Sequence, residues 1–161
     1  IISIADITEN GELIENNLRK VKLPKSANLA RKGDLLFNWR NGSKNLVGKT
    51  ALFNLPYECA FASFLLGIRP DINIVDSKYL WYILNQYRFE GKYMQFMRQN
   101  VNGLFNREEL KVLQIPLPSL QVQEEIAERI NVERKIVSQN KQLIEIFEGK
   151  IKEKVTEVWE G

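Results

Sequence analysis

The C-terminal part of this 161-residue chain carries an apolar seven-residue repeat. The repeat is formed by Ile130, Val137, Ile144, Ile151 and Val158. From Ser119 to about Trp159 the sequence predicts one helix of ~40 residues, roughly 60 Å long at 1.5 Å per residue. A strict seven-residue spacing keeps the apolar seam facing a partner only if the helix supercoils around another helix. We therefore expect residues 119–161 to form a coiled-coil helix.

A second seam position accompanies this repeat and contains the polar residue Asn140. An asparagine in a seam favours one register of pairing at some cost in stability. The alternative is that the helix folds back on its own domain, but a rod of roughly 60 Å outruns a domain whose radius of gyration is about 13 Å. The predicted helix-pairing residues are Ile126, Ile130, Val137, Asn140, Ile144, Phe147, Ile151 and Val158.

The composition restricts the chemistry available to the chain. It has no histidine, which removes the usual general base, the serine and cysteine triads and most zinc sites. The one cysteine, Cys59, lies among apolar residues and is predicted to be a buried thiol. Catalysis would then have to rest on carboxylates or lysines alone. We expect no catalytic residues, no metal and no cofactor. A rival hypothesis is a Mg²⁺-dependent nuclease using Asp34, Glu58, Asp71 and Asp76, although their spacing lacks a compact D…[DE]-x-K arrangement.

The positive charge is concentrated in the N-terminal part of the chain. The total is 23 basic and 20 acidic residues, net +3. Residues 1–118 hold 16 basic and 11 acidic residues, net +5, which leaves 7 basic and 9 acidic residues, net −2, for residues 119–161. This distribution is a mild indication of a polyanionic partner for the N-terminal part. No apolar stretch approaches the ~20 residues that span a bilayer, so we expect no membrane segment.

Residues 1–118 mix the periods of strands and helices and predict an α+β domain with a mixed, twisted β-sheet and short helices. Predicted strands are ISIADI, LRKVKLP, DLLFNW, two runs broken around Pro56 and, at an edge, VLQIPLP. Predicted helices are SKYLWYILNQYRF behind a cap at Asp76 or Ser77, EGKYMQFMRQ, and NREEL with Asn106 as its cap. Asn102-Gly103 is predicted to be a turn.

A basic, glycine-containing loop, RNGSKNLVGKT, follows the strand DLLFNW. It is not a Walker A loop, because five residues separate Gly42 from Gly48 where four are needed, and no helix follows. Arg reads guanine and Asn reads adenine in the major groove of DNA, while Lys neutralises phosphates. The predicted DNA-binding residues are Asn38, Arg40, Asn41, Ser43, Lys44, Asn45 and Lys49. The alternative is an ordinary solvated hairpin loop.

A second candidate for DNA contact is the polar cluster Arg98, Gln99 and Asn100, between a predicted helix and a turn. Polar capping of the helix C-terminus explains the same residues equally well. Both interpretations stay open at this point.

Three motifs together carry a family resemblance. They are GDLLF at Gly33 to Phe37, the glycine-containing loop ending in GKT at Asn41 to Thr50, and IPLPSLQVQEEIA at Ile115 to Ala127, with Gln123 at the glutamine position. The combination resembles one half of the DNA specificity (S) subunit of type I restriction-modification systems. The likeness covers nearly the whole chain.

The resemblance implies a prokaryotic, cytoplasmic, non-catalytic protein that reads one half of a bipartite site in double-stranded DNA. It implies a recognition domain at residues 1–118 and a spacer helix at residues 119–161. A complete S subunit resembles two such units whose long helices pair antiparallel. It clamps methyltransferase (M) subunits, which methylate adenine, while restriction (R) subunits use ATP to translocate and cut.

The sequence departs from the family pattern in two ways. It has one recognition domain, and the opening part of that domain is short or missing, since ISIADI matches only the end of the expected strand. Three arrangements fit: a half-subunit that pairs with an identical chain, the C-terminal half of a full subunit, or the recognition end of a single-chain type II methyltransferase-nuclease. A coiled-coil assembly module that binds protein instead of DNA is the remaining alternative.

Overall fold

The computed structural model describes residues 1–23, 27–40, 46–99, 105 and 107–160. The chain divides into two compact units, Ile1–Glu124 and Glu125–Gly161. Each unit is described by itself.

The first unit combines short strands and short helices. In its described part the strands are β1 (Leu29–Ala30), β2 (Leu35–Asn38), β3 (Thr50–Leu52), β4 (Cys59–Ala60) and β5 (Leu65–Ile68). The helices that follow are α1 (Ser77–Phe89), α2 (Lys92–Gln99) and α3 (Arg107–Val112), and the fourth helix, α4 (Leu120–Glu160), begins in this unit. Two single turns of 3-10 helix, Ile4–Asp6 and Glu15–Asn17, precede strand β1.

The strands form two small antiparallel sheets. One has the order β3-β2-β5, with Leu36 opposite both Ala51 and Gly67. The other pairs β1 with β4, and an isolated parallel bridge joins Ile2 to Phe61. The predicted α+β class, with short helices and a long C-terminal helix, is confirmed.

Strand β2 is the central strand of its sheet, and all four of its residues are buried. Successive side chains point to opposite faces of a strand. Leu36 joins an aliphatic cluster that includes Ile2, Phe53 and Leu65. On the other face the Phe37 ring lies 5.3 Å from that of Tyr93 and 5.5 Å from that of Phe105. The apolar run after Gly33 is therefore the core strand that its composition predicted.

The prediction of a strand at ISIADI was wrong. Residues Ile4–Asp6 form a turn of 3-10 helix instead. The Asp6 carboxylate accepts hydrogen bonds from the Ser3 backbone N–H and hydroxyl, both at 2.7 Å. Such local side-chain bonds compete with strand pairing.

Two further strand predictions were wrong. The described part of LRKVKLP, residues 18–23, contains no strand. In VLQIPLP, Val112 ends α3 and residues 113–118 contain no strand. The carbonyls of Pro116 and Gln114 instead accept hydrogen bonds from the hydroxyls of Tyr79 and Tyr87 on α1, each at 3.0 Å. The run around Pro56 forms three short strands, β3, β4 and β5, where two were predicted.

The helix predictions are confirmed for α1, α2 and α3. Asp76 caps α1 by accepting a hydrogen bond from the Tyr79 backbone N–H at 2.7 Å. The predicted cap Asn106 and the predicted turn at Asn102-Gly103 lie outside the described residues. Cys59 is buried, as its neighbours predicted.

Helix α4 is continuous over 41 residues, in agreement with the predicted span. Ser119 precedes it and accepts a long hydrogen bond from Val122 N at 3.5 Å. The second unit consists of this helix from Glu125 onward, and most of its large apolar side chains are exposed, whereas Ile130 is partly buried. No described helix combines the length and apolarity that crossing a membrane requires.

Candidate nucleic-acid interface

The loop predicted to read DNA lies between strands β2 and β3. Hydrogen bonds join the two chain segments at which the loop begins and ends. Asn38 N–H donates to the Lys49 carbonyl at 2.9 Å, and Gly48 N–H donates to the Asn38 carbonyl at 2.8 Å. The Asn38 side chain adds a third bond, from Nδ2 to the Leu46 carbonyl at 2.8 Å. The segment between Trp39 and Leu46 therefore connects two ends whose spacing is fixed by β2 and β3. We call Asn38 and residues 46–50 the loop base.

Gly48 is required in the loop base for two reasons. Its φ of +89° lies in the left-handed region that glycine adopts without strain. A Cβ at this position would also stand 2.1 Å from Cδ2 of Tyr93. Tyr93 cannot move away freely, because it is buried and its hydroxyl donates to the Leu84 carbonyl at 2.9 Å. Burial also raises the pKa of the Tyr93 hydroxyl, which keeps it a neutral donor.

Two predicted DNA-binding residues lie in the interior instead. Asn38 is 0% exposed, and Lys49 is 5% exposed with its Nζ donating to the Ile7 carbonyl at 2.8 Å. Burial lowers the pKa of Lys49. Side chains tied to backbone carbonyls inside the fold cannot reach a base edge or a phosphate. The assignment of Asn38 as a reader and of Lys49 as a phosphate anchor is corrected: both hold the loop base.

Arg40 differs from its buried neighbours because its side chain is exposed. Its guanidinium carbon lies 5.9 Å from the centroid of the half-exposed Phe64 ring. The preceding Trp39 is partly buried, and its Nε1 donates to the Ser63 carbonyl at 2.9 Å. The predicted readers Asn41, Ser43 and Asn45 and the phosphate anchor Lys44 lie outside the described residues.

The second predicted cluster lies at the end of α2. Arg98 is exposed in the last turn and Gln99 ends the helix, whereas Asn100 lies outside the described residues. Tyr93, in the first turn of the same helix, is the residue that packs on Gly48. Helix α2 therefore connects the second cluster to the loop base.

A groove of about 1050 Å³ extends from Trp39 over the first unit. Among the described residues that line it, four are cationic: Lys22, Arg31, Arg69 and Arg107. The acidic residue in its lining is Asp34, which Arg69 binds through two hydrogen bonds of 2.8 and 2.7 Å. Burial alone would raise the pKa of Asp34, but the bonds from Arg69 and from Arg31 N–H, with the two positive charges, lower it. The groove lining is therefore net positive.

The four acidic residues of the nuclease hypothesis make hydrogen bonds or ion pairs within the first unit. Asp34 binds Arg69, Glu58 pairs with Arg31 at 2.8 Å, and Asp76 caps α1. The carboxylate of Asp71 accepts hydrogen bonds from the backbone and side chain of Asn73. Among the described residues, no three acidic or cysteine side chains are grouped as metal ligands. These contacts do not support a shared Mg²⁺ site.

Sequence analysis missed two buried carboxamides. Asn85 on α1 bonds to the backbone of Thr50, and Gln123 at the start of α4 bonds to the backbone of Asp76, Ile74 and Pro118. In the sequence, Gln123 is recognisable only as the glutamine of the family motif. A polar residue on the buried face of a predicted helix was the available signal, since buried polar groups are almost always hydrogen-bonded.

A family model, type I restriction modification DNA specificity domain, matches residues 1–156. The chain belongs to this family. Among curated specificity subunits, it is 29% identical over 99 residues to that of type I restriction enzyme StySPI from Salmonella potsdam. It is 33% identical over 97 residues to the putative MjaX specificity subunit from Methanocaldococcus jannaschii. It is 26% identical over 139 residues to the EcoKI specificity subunit from Escherichia coli.

These alignments cover 61%, 59% and 78% of this chain but only 21%, 23% and 30% of the relatives. The chain thus spans less than a third of each of these relatives' length. Among solved structures, it superposes on the HsdS subunit from Thermoanaerobacter tengcongensis with a TM-score of 0.66 at 18% identity, over 88% of this chain and 37% of the other. A structure from work on complex assembly and conformational transition of the type I R-M system gives a TM-score of 0.64 at 16% identity and the same coverage. The specificity-subunit fold is thereby shown.

Proposed function

We propose that this specificity domain reads one half of a bipartite site in double-stranded DNA, within a type I restriction-modification complex. The observation that carries the proposal is the exposed Arg40, two residues after Asn38 of the loop base, in a chain that belongs to the specificity family. The domain has no chemistry of its own in this proposal. Methylation belongs to M subunits and cleavage to R subunits.

The loop supplies the side-chain types that discriminate base pairs. Arg40 is suited to guanine O6 and N7, and Asn41 and Asn45 to adenine N6 and N7, in the major groove. Each well-placed bidentate contact contributes about 1–3 kcal/mol of discrimination. Such contacts require a fixed origin, which the hydrogen bonds of the loop base supply. Ser43 adds a hydroxyl able to bond either kind of base pair.

Affinity that does not depend on sequence comes from cations. Lys44 in the loop and Arg98 at the end of α2 are suited to phosphates, since Lys and Arg side chains neutralise the DNA backbone. The net charge of +5 over residues 1–118 acts in the same direction. Gln99 and Asn100 extend this second contact beside Arg98.

The second unit supplies assembly. Three of its seam residues, Val137, Ile144 and Ile151, are more than half exposed. Burying such a stripe against another helix stabilises both helices. The partner helix in this proposal is an identical chain or the second half of an S subunit, and M subunits dock on the paired helices. The complex acts in the prokaryotic cytoplasm.

The second candidate function is a coiled-coil assembly module that binds protein and not DNA. The exposed seam of α4 favours it, because that feature alone needs no nucleic acid. Recognition by a single-chain type II methyltransferase-nuclease is a variant of the leading proposal. It places the same reading loop on a different enzyme.

Fluorescence anisotropy with random-sequence duplexes across a salt series tests the proposal. We expect binding at low ionic strength that weakens steeply with salt, because counterions are released from phosphates. Arg40→Ala should relax preference at one base pair of a site library, whereas Lys44→Ala should weaken all sequences alike. Absence of salt-dependent binding favours the assembly module. Equal losses for both variants across the library contradict the assigned roles.

A further inference from the structure

Asn85 lies on the buried face of α1, and its carboxamide pairs with the backbone N–H and C=O of one residue of β3, Thr50. The residue is 3% exposed. Its Oδ1 accepts a hydrogen bond from Thr50 N–H at 3.2 Å, and its Nδ2 donates to the Thr50 carbonyl at 2.9 Å. Strand β3 is at the edge of its sheet. The carboxamide therefore occupies the hydrogen-bonding positions that another strand would otherwise use.

Trp81, one turn earlier on α1, binds the same carbonyl. Its Nε1 donates to Thr50 O at 2.9 Å and to Gly11 O at 3.0 Å. The Thr50 carbonyl thus has two donors from α1, and Thr50 directly follows Gly48 and Lys49 of the loop base. Helix α1 fixes the position at which the loop returns to the sheet.

We propose that Asn85 is a positioning residue for base discrimination. It holds the N–H and the C=O of Thr50, and through the loop base it sets where Arg40 meets the base edges. This inference rests on the proposed function. Hydrogen bonds to base edges need donor–acceptor distances correct to a few tenths of an ångström. Attraction to phosphates tolerates displacement, because it falls off slowly with distance. Releasing Asn85 should therefore reduce discrimination while preserving non-specific binding.

Gln123 provides a matched control. It is fully buried, its Oε1 accepts one backbone N–H, from Asp76 at 2.9 Å, and its Nε2 donates to the carbonyls of Ile74 at 3.1 Å and Pro118 at 2.8 Å. Asn85 has the same set, since its Nδ2 also donates to Trp81 O at 3.0 Å. Asn85→Asp and Gln123→Glu each replace a buried NH₂ group facing two carbonyls by an oxygen. The two changes differ in which backbone segment they release.

The experiment uses the full 161-residue chain. A preferred duplex is first selected from a randomised library with the wild-type protein. Dissociation constants for that duplex and for a scrambled one are then measured by anisotropy, together with the thermal midpoint of each variant. Partial unfolding lowers the active fraction equally for both duplexes, so the ratio of the two constants reports positioning and not stability.

We expect Asn85→Asp to lower this ratio by about tenfold, as for the loss of a buried hydrogen bond. Gln123→Glu should lower the thermal midpoint without changing the ratio. If Asn85→Asp does not fold, Trp81→Phe removes one donor to the Thr50 carbonyl and should lower the ratio about threefold. An unchanged ratio in the folded variant overturns the inference, as does an equal fall in Gln123→Glu. A wild-type protein with no preferred duplex overturns the proposed function and this inference with it.

Discussion

The two units differ in the exposure of their large apolar side chains. The first unit, residues 1–124, buries several of them in a core, whereas the second unit, residues 125–161, exposes most of them. In the first unit, Phe37, Phe53 and Phe105 are almost fully buried. In the second, Ile144, Phe147 and Ile151 are more than half exposed. Helical stability in proteins comes mainly from packing an apolar face, and propensity contributes less. The first unit therefore carries its own core, while we propose that the second unit packs its apolar side chains against another helix.

The largest expected effect is on the core of the first unit. Phe37→Ala removes the ring that contacts Tyr93 and Phe105 and should lower the free energy of unfolding by about 3–5 kcal/mol. Urea denaturation followed by tryptophan fluorescence measures this value. The control is Phe64→Ala, whose ring is half exposed and should cost much less. Similar losses for the two variants would contradict the placement of the core.

The next effect should appear in the second unit as a loss of association. Ile144→Asp places a charge in the predicted seam, and we expect it to weaken helix pairing by at least about 100-fold, since an unpaired charge resists burial. Sedimentation velocity of both proteins measures the shift towards monomer. Gln142→Asp introduces the same charge two residues away, off the seam, and should leave the profile unchanged. An Ile144→Asp profile identical to that of the wild type would remove the reason for assigning a partner helix.

Replacing a glycine by alanine should change stability in opposite directions in the two units. Gly149→Ala lies in α4 with nothing within 4 Å of the added Cβ and should stabilise the helix by about 1 kcal/mol. Gly48→Ala adds its Cβ 2.1 Å from the Tyr93 ring at a φ of +89°, so it should destabilise the first unit. Thermal unfolding followed by circular dichroism measures both. A stabilised Gly48→Ala variant would show that the loop base is less constrained than these contacts require.

The elements that sequence analysis predicted correctly are those whose signal is local. Strand β2 is an apolar run after Gly33, α1 has an Asp76 cap and a helical period, and α4 has a long repeat. Each pattern is complete within its own segment, so no distant contact was needed to recognise it.

Two of the errors concern residues whose hydrogen-bond partners are distant in sequence, whereas the error at ISIADI comes from a local contact between Ser3 and Asp6. Lys49 reads as a loop cation, but its Nζ binds the Ile7 carbonyl 42 residues away. The proline-containing segment after α3 reads as an edge strand, but hydroxyls of Tyr79 and Tyr87 hold its carbonyls. Long-range hydrogen bonds of this kind leave no periodic trace. Sequence analysis therefore located the loop between β2 and β3, whose DNA-reading role stays a prediction, but it did not find the structural roles of Asn38 and Lys49.

The smallest expected effect is a pH dependence of stability in the first unit, which arises from Asp34. The lowered pKa of Asp34 means that its ionised form stabilises the first unit at pH values above the ordinary carboxyl range. That contribution is lost as the pH falls through this range towards the lowered pKa. Asp34→Asn should therefore be less stable than the wild type at neutral pH, and the difference should shrink on acidification. Arg69 is 56% exposed, so solvent screening keeps the effect modest. Urea unfolding midpoints measured from neutral to acid pH provide the comparison, with Glu145→Gln on α4 as the exposed control. A difference between Asp34→Asn and wild type that stays constant with pH would show that packing, and not the ion pair with Arg69, accounts for the contribution of Asp34.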